Sequence, residues 1–295
     1  GEATGVKWAA ASGGLSADSQ GNIVAGTNAG DSFSGTDATD NILFGNNAGT
    51  AITTGDKNIA IGTDALKTED TVDTGLLAIG HKALELNNSG QYNVALGHRS
   101  LQDCVSGNYN TAVGWRSLSE TTANSGCVAV GYNSAISATD AGALNPTRGY
   151  ITAIGFEALK ATTTAGGLTA VGSYAGTTNT TGTTNTYLGF SAGRTNSTSS
   201  GNTSVGYYSL YSNTGANCTA VGNSALSSST GANNTALGAS SGAGAITGTN
   251  NTMLGYGAAP SSTSVTNEIT LGNASVTKFR VPGLNFSIKD STATD

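Results

Sequence analysis

Charge, proline and long apolar runs are all scarce in this sequence. Charged residues make up 10% of the 295 positions, and proline occurs three times. Disordered chains combine low hydrophobicity with high net charge. A net charge of only −6 therefore argues for a folded chain. No apolar stretch approaches the roughly 18–20 residues that span a bilayer, so no membrane span is expected. An acidic balance gives no general attraction for nucleic acid or anionic lipid, and nucleic acid is not expected as a partner. Three cysteines, Cys104, Cys127 and Cys218, are an odd count at wide spacing, which suits neither a disulfide framework nor a zinc site. Cys127 and Cys218 are instead expected to be small buried thiols. There is no nucleophile–base–acid set, no phosphate loop and no Asp-rich calcium-binding nonapeptide. The expectation is a protein that is not an enzyme and uses no cofactor or metal. Gly1 stands where an initiator Met would, which suggests a processed or partial product.

Glycine is abundant, at 43 residues, but without the strict Gly-x-y period of collagen. It follows a longer period. Aligning Asn58-Ile-Ala-Ile-Gly62, Asn93-Val-Ala-Leu-Gly97, Asn110-Thr-Ala-Val-Gly114 and Asn234-Thr-Ala-Leu-Gly238 reveals one glycine that recurs fifteen times, from Gly26 to Gly272. Nine of the fourteen successive spacings are 17 residues. The residue before this glycine is aliphatic or Phe in fourteen repeats, and the residue three after it is Ala or Ser in all fifteen. The residue four after it is Leu in seven repeats, and the residue four before it is Asn in nine.

Each column has a physical meaning. The four residues before the glycine favour a strand, and the glycine permits a corner or a close backbone approach. The Ala/Ser column marks a place with no room for a larger side chain. The Asn column suggests a ladder of stacked amides. A unit of about 17 residues buries little alone, so neighbours must stack. The fold class expected is all-β: a parallel β-solenoid (β-roll) of about fifteen coils over residues 21–276, roughly 70 Å long at one rung per coil. A capping segment at 1–20, with Val6, Trp8 and Ala9, precedes it, and an exit segment at 277–295 follows. In Ala60-Ile61 and Ala170-Val171 both faces of the strand are apolar. One face can fill the coil's own core and the other then needs another chain, which predicts an oligomer, most simply a homotrimeric rod.

The unit Asn-Thr-Ala-Val-Gly-x-x-Ser-Leu resembles the head repeat of trimeric autotransporter adhesins of the YadA type, although the repeat here is longer than that family's usual unit. The resemblance covers residues 22 to about 276 and implies a β-roll that packs as a homotrimer. Residues 267–290, from Asn267-Glu-Ile-Thr-Leu-Gly to Ser-Ile-Lys-Asp290, resemble the segment closing the shaft of phage tail fibres. Together these resemblances imply a structural fibre protein: a rigid shaft on a virion appendage or extracellular surface that supports host attachment. Its partners would be its own copies, other virion or fibre proteins and a host surface glycan or receptor. A cell-surface trimeric adhesin or filament protein is the alternative.

Two adjacent columns are the candidate binding surface. The one after the glycine runs His81, His98, Trp115, Tyr132, Phe156; the next runs Lys82, Arg99, Arg116, Asn133, Glu157. In register, these make an aromatic ladder beside a short basic one. Aromatics beside cations can stack on sugars or bind acidic glycans; equally, the rings can seal a corner of a trimer while the cations reach into water. His81 and His98, the only histidines, could form axial rings and bind a metal in a threefold assembly, but without Asp, Glu or Cys beside them in sequence no metal site is expected. The insertion Asp140–Arg148, between Gly131 and Gly155, is a further place where recognition could sit. Thr recurs three before the glycine in eight repeats, seven of them consecutive from Thr152 to Thr252, which admits an ice-binding face as a third class of function.

Overall fold

The computed structural model describes residues 16–34, 37–68, 75–138 and 150–280. Among them there is no helix. Fifteen short strands, from Ile23–Ala25 to Ile269–Leu271, form one sheet in sequence order. All neighbours pair in parallel, and the registers join equivalent columns: Ile23 lies opposite Ile42 and Ala25 opposite Phe44, and likewise Thr252 opposite Ile269 at the far end. A chain that pairs each strand with the next in parallel, at a spacing of about 17 residues, must travel once around per strand. The fold is a parallel β-solenoid, with fourteen turns linking the fifteen strands. At about 4.8 Å per step the stack is roughly 67 Å long.

The strands are shorter than expected. Most have three residues, as in Thr111–Val113, because the Asn column stands just outside the ladder. There the Asn side chain does the bonding: Oδ1 of Asn22 accepts the backbone N–H of Asn41 at 2.9 Å, and Oδ1 of Asn41 that of Asn58. The same bond joins Asn93 to Asn110, Asn185 to Asn202 and Asn234 to Asn251. The amide nitrogen donates across the coil, as Asn110 Nδ2 does to the Asn124 carbonyl at 2.7 Å. The ladder expected from amide to amide thus runs mainly from side chain to backbone. These amides are buried, where an unmade bond costs most. Ile151 and Leu168 occupy the Asn position in the only two four-residue strands, Ile151–Ile154 and Leu168–Val171. The column starts on a carboxylate, with Asp18 Oδ1 accepting the N–H of Asn22 at 2.8 Å. It ends on another, Glu268, whose side chain turns back to the Ser261 N–H and the Thr270 hydroxyl.

The corner glycine is a steric requirement. A Cβ on Gly62, whose φ is +134°, would lie 2.6 Å from the carbonyl oxygen of Gly80 on the next coil. A second glycine column, at Gly90, Gly107, Gly182, Gly215, Gly231 and Gly248, serves the opposite corner. A Cβ on Gly90 would come 2.5 Å from the Gly107 carbonyl oxygen.

Between the corners lies a thin core with a size rule. Two side chains point inward per coil, one from the middle of the strand and one four residues after the corner. Where the first is small the second is Leu in most coils: Ala60 with Leu66, Ala95 with Leu101, Ala112 with Leu118, Ser204 with Leu210, while Ala129 meets Ala135. Where the first is large the second is Gly: Leu43 with Gly49, Tyr187 with Gly193. Two coils pair Ala with Gly, and a neighbour fills each gap. The Tyr187 ring reaches the space at Gly176, and the Met253 sulfur that at Gly242. The Leu column holds left-handed backbone throughout, with φ from +46° at Leu226 to +51° at Leu66. That conformation costs about 1–2 kcal/mol, which burial of a Leu side chain, about 1.5–3 kcal/mol, offsets.

The proposed cap residues Val6, Trp8 and Ala9, the insertion Asp140–Arg148 and most of the exit segment lie outside the described residues.

Candidate functional site

Register places the candidate rings one rung apart on the outer side of the corner. His81 stacks on His98 with centroids 5.1 Å apart, His98 on Trp115 at 5.8 Å, Trp115 on Tyr132 at 4.9 Å and Tyr132 on Phe156 at 5.1 Å. Interplanar angles along these four steps are 18°, 7°, 7° and 8°. The ladder does not stop there. Ser173 interrupts the column, and Tyr174 from the next column fills the gap edge-on against Phe156 and Phe190. Stacking resumes from Phe190 to Tyr207 at 5.5 Å. Sequence comparison by column misses Tyr174 because it stands one position off; Phe190 and Tyr207 were in the right column to be seen.

This geometry changes what the ladder can do. His98, Trp115 and Tyr132 each have both faces covered by neighbouring rings, so they present edges to water. A sugar stacks on a ring face, and along the interior of the ladder those faces are taken.

The basic column is partly neutralised. Lys82 Nζ lies 2.9 Å from Glu85, and Arg116 lies 2.9 Å from Glu120 while its guanidinium rests 5.5 Å from the Trp115 ring centre. Those carboxylates relieve the like-charge contact expected between rungs. Arg99, between them, makes no ion pair among the described residues. Burial, and then the neighbouring Glu120 and Glu85, raises the Asp103 carboxyl above its usual range. Burial, followed by His81 and Arg99, lowers His98. Among the described residues no three His, Cys, Asp or Glu side chains gather as a metal site would require.

The thiols are buried and unbridged. Cys127 and Cys218 hold Asn positions: each donates its N–H to the preceding Asn Oδ1, at 3.0 and 2.9 Å. Burial raises all three thiols, Cys104 to about 11. A protonated, enclosed thiol is a poor nucleophile.

No family model, curated protein or solved structure matches this chain.

The largest uncovered feature is apolar. In each strand the middle residue points into the coil and its two neighbours point out, as in Thr111–Val113. The column before the corner glycine therefore lines the outside, with Leu96, Ile154, Leu188, Leu237, Leu254 and Leu271 exposed. Across the corner runs the aromatic column. Of the twenty exposed large hydrophobic side chains among the described residues, thirteen belong to the sheet's outer face and this adjoining ladder. Scattered apolar residues need no explanation, but one contiguous stripe marks an interaction surface.

Proposed function

We propose that the chain is a structural fibre protein, one strand of a homotrimeric shaft in a phage tail fibre or related virion appendage. In this reading it holds attachment elements away from the virion and carries out no catalysis. The apolar stripe is the observation that supports it most. The stripe follows the stack from end to end, so its natural cover is an object of the same length and rung spacing: another copy of the chain. Over roughly 67 Å by about 10 Å it would bury some 700 Å² per copy, close to the ~800 Å² per partner of specific interfaces. The repeat and tail resemblances add the fibre context, and the scarcity of charge suits a closely packed assembly.

Multi-angle light scattering tests the assembly. Wild-type protein is expected at three chain masses, and the double variant Leu188→Lys, Leu237→Lys at one, with its circular dichroism retained. A wild-type monomer would overturn the reading.

A further inference from the structure

A different column, five residues before each corner glycine, carries a second set of aromatics. All fifteen of its members have positive φ, and nine are Gly or Asn, the residues that hold such backbone most easily. Three are tyrosines: Tyr92 at +56°, Tyr109 at +58° and Tyr150 at +63°. A bulky side chain here is unfavourable. The buried Leu column also has positive φ, but there burial compensates. These tyrosines are 52%, 65% and 66% exposed, so burial explains little of their presence. Asp40, Lys57 and Thr184 hold the same exposed left-handed backbone in this column, so the coil imposes the conformation; what sets the three tyrosines apart is a large ring kept exposed there.

Their arrangement differs from that of the closed ladder. Tyr92 and Tyr109 stack at 5.3 Å with an interplanar angle of 9°. The next rung has Gly126, and Tyr150 follows on the rung after. Tyr109 has no second ring partner among the described residues, and Tyr150 has none. The Tyr150 ring leans over Gly126, 3.1 Å from where a Cβ would stand. The column thus has a step floored by glycine and flanked by two phenols whose faces other rings leave open. One residue earlier on the same rungs stand Gln91, Asn108 and Ser125. Asn108 Oδ1 accepts the Gln91 N–H at 2.7 Å, and Ser125 Oγ accepts the Asn108 N–H at 2.9 Å. The Gln91 carboxamide and Asn108 Nδ2 make no hydrogen bond among the described residues. None of these residues is charged.

We propose that Tyr109 and Tyr150, over Gly126 and beside Gln91 and Asn108, bind a neutral saccharide. The apolar C–H face of a pyranose would lie on the open ring surface, and the carboxamides would bond its hydroxyls. Among the described residues no cation stands at the step, so they offer a charged sugar no ion pair. The site does not depend on the shaft reading, since it lies within one chain and on other columns than the apolar stripe.

The test uses the full chain on a printed panel of tetra- to hexasaccharides built from glucose, galactose, mannose and N-acetylglucosamine, with sialylated glycans and a proline-rich peptide alongside. Tyr109→Asn and Tyr150→Asn are compared with wild type for binding and for Tm. Binding to neutral glycans is expected, falling at least tenfold in each variant. Because Asn already occupies this column at 217, 233, 250 and 267, Tm should hold or rise. Absence of neutral-glycan binding, undiminished binding in the variants, or preference for the sialylated glycans or the peptide would overturn the proposal. So would a Tm drop of several degrees, which would make the rings structural.

Discussion

Replacing Tyr187 with Ala tests the size rule of the core most severely. Tyr187 fills its own coil, where Gly193 leaves the space, and also the coil before it, where a Cβ on Gly176 would come 2.6 Å from the ring. Removing an aromatic side chain from a core costs about 3–5 kcal/mol, depending on how far the surroundings collapse. Glycine lies opposite on two coils, and Leu159, whose Cδ2 borders the Gly176 site, can fill the space only in part, so about 3–5 kcal/mol is expected. Gly193→Leu alone should also destabilise strongly, since its Cβ would strike the Tyr187 ring. Together, the two changes recreate the Ala–Leu pairing of Ala60 and Leu66. Burying the Leu should return about 1.5–3 kcal/mol, less about 1–2 kcal/mol for the left-handed backbone that such a Leu adopts. The double variant should then be more stable than either single one, by about 1 kcal/mol over Tyr187→Ala. A long stack need not melt in one step, so the assay is amide hydrogen exchange at Thr186–Leu188 and the paired strands. A double variant no better protected than Tyr187→Ala would refute the rule.

Gly62→Ala should cost several kcal/mol and raise exchange on its own and the next rung, because the added Cβ meets backbone that cannot yield. Gly244→Ala, with nothing within 4 Å of its Cβ, should stay within about 0.5 kcal/mol of wild type. Cys104, Cys127 and Cys218 should resist maleimide at neutral pH and label rapidly in denaturant; fast labelling of the folded protein would contradict their burial. His98 titrates below its unfolded value, so the folded state binds its proton less readily than the unfolded one. Its neutral form favours folding above the unfolded value, and that contribution is lost as pH falls from there through the lowered folded one. His98→Gln should accordingly flatten the pH dependence of Tm below about pH 6.5.

Much of this architecture is legible in the sequence because a solenoid repeats its geometry. The 17-residue period, the corner glycines and the Ala/Ser slot each follow from one physical constraint met once per coil. The aromatic column from His81 to Phe156 could be laid out by counting alone. What escaped counting has physical reasons. The Asn amides bond to the backbone of the next coil, and only three-dimensional placement shows which atoms meet. The second glycine corner had a trace in Ser89-Gly90, Ser106-Gly107, Thr181-Gly182 and Thr230-Gly231, but the loop between corners varies in length and blurs the alignment. Left-handed backbone at Leu66 or Tyr109 runs against local preference and is imposed by the coil. Tyr150 is separated from Tyr109 by an insertion and a glycine, which hid their membership of one column.

Cryo-electron microscopy of the purified full-length chain tests the central claim most directly. The account predicts rods roughly 67 Å long with a rung about every 4.8 Å, three chains to a rod, and the Leu188 and Leu237 column in the seam between them. Single-chain rods, or seams that leave this column in solvent, would contradict it.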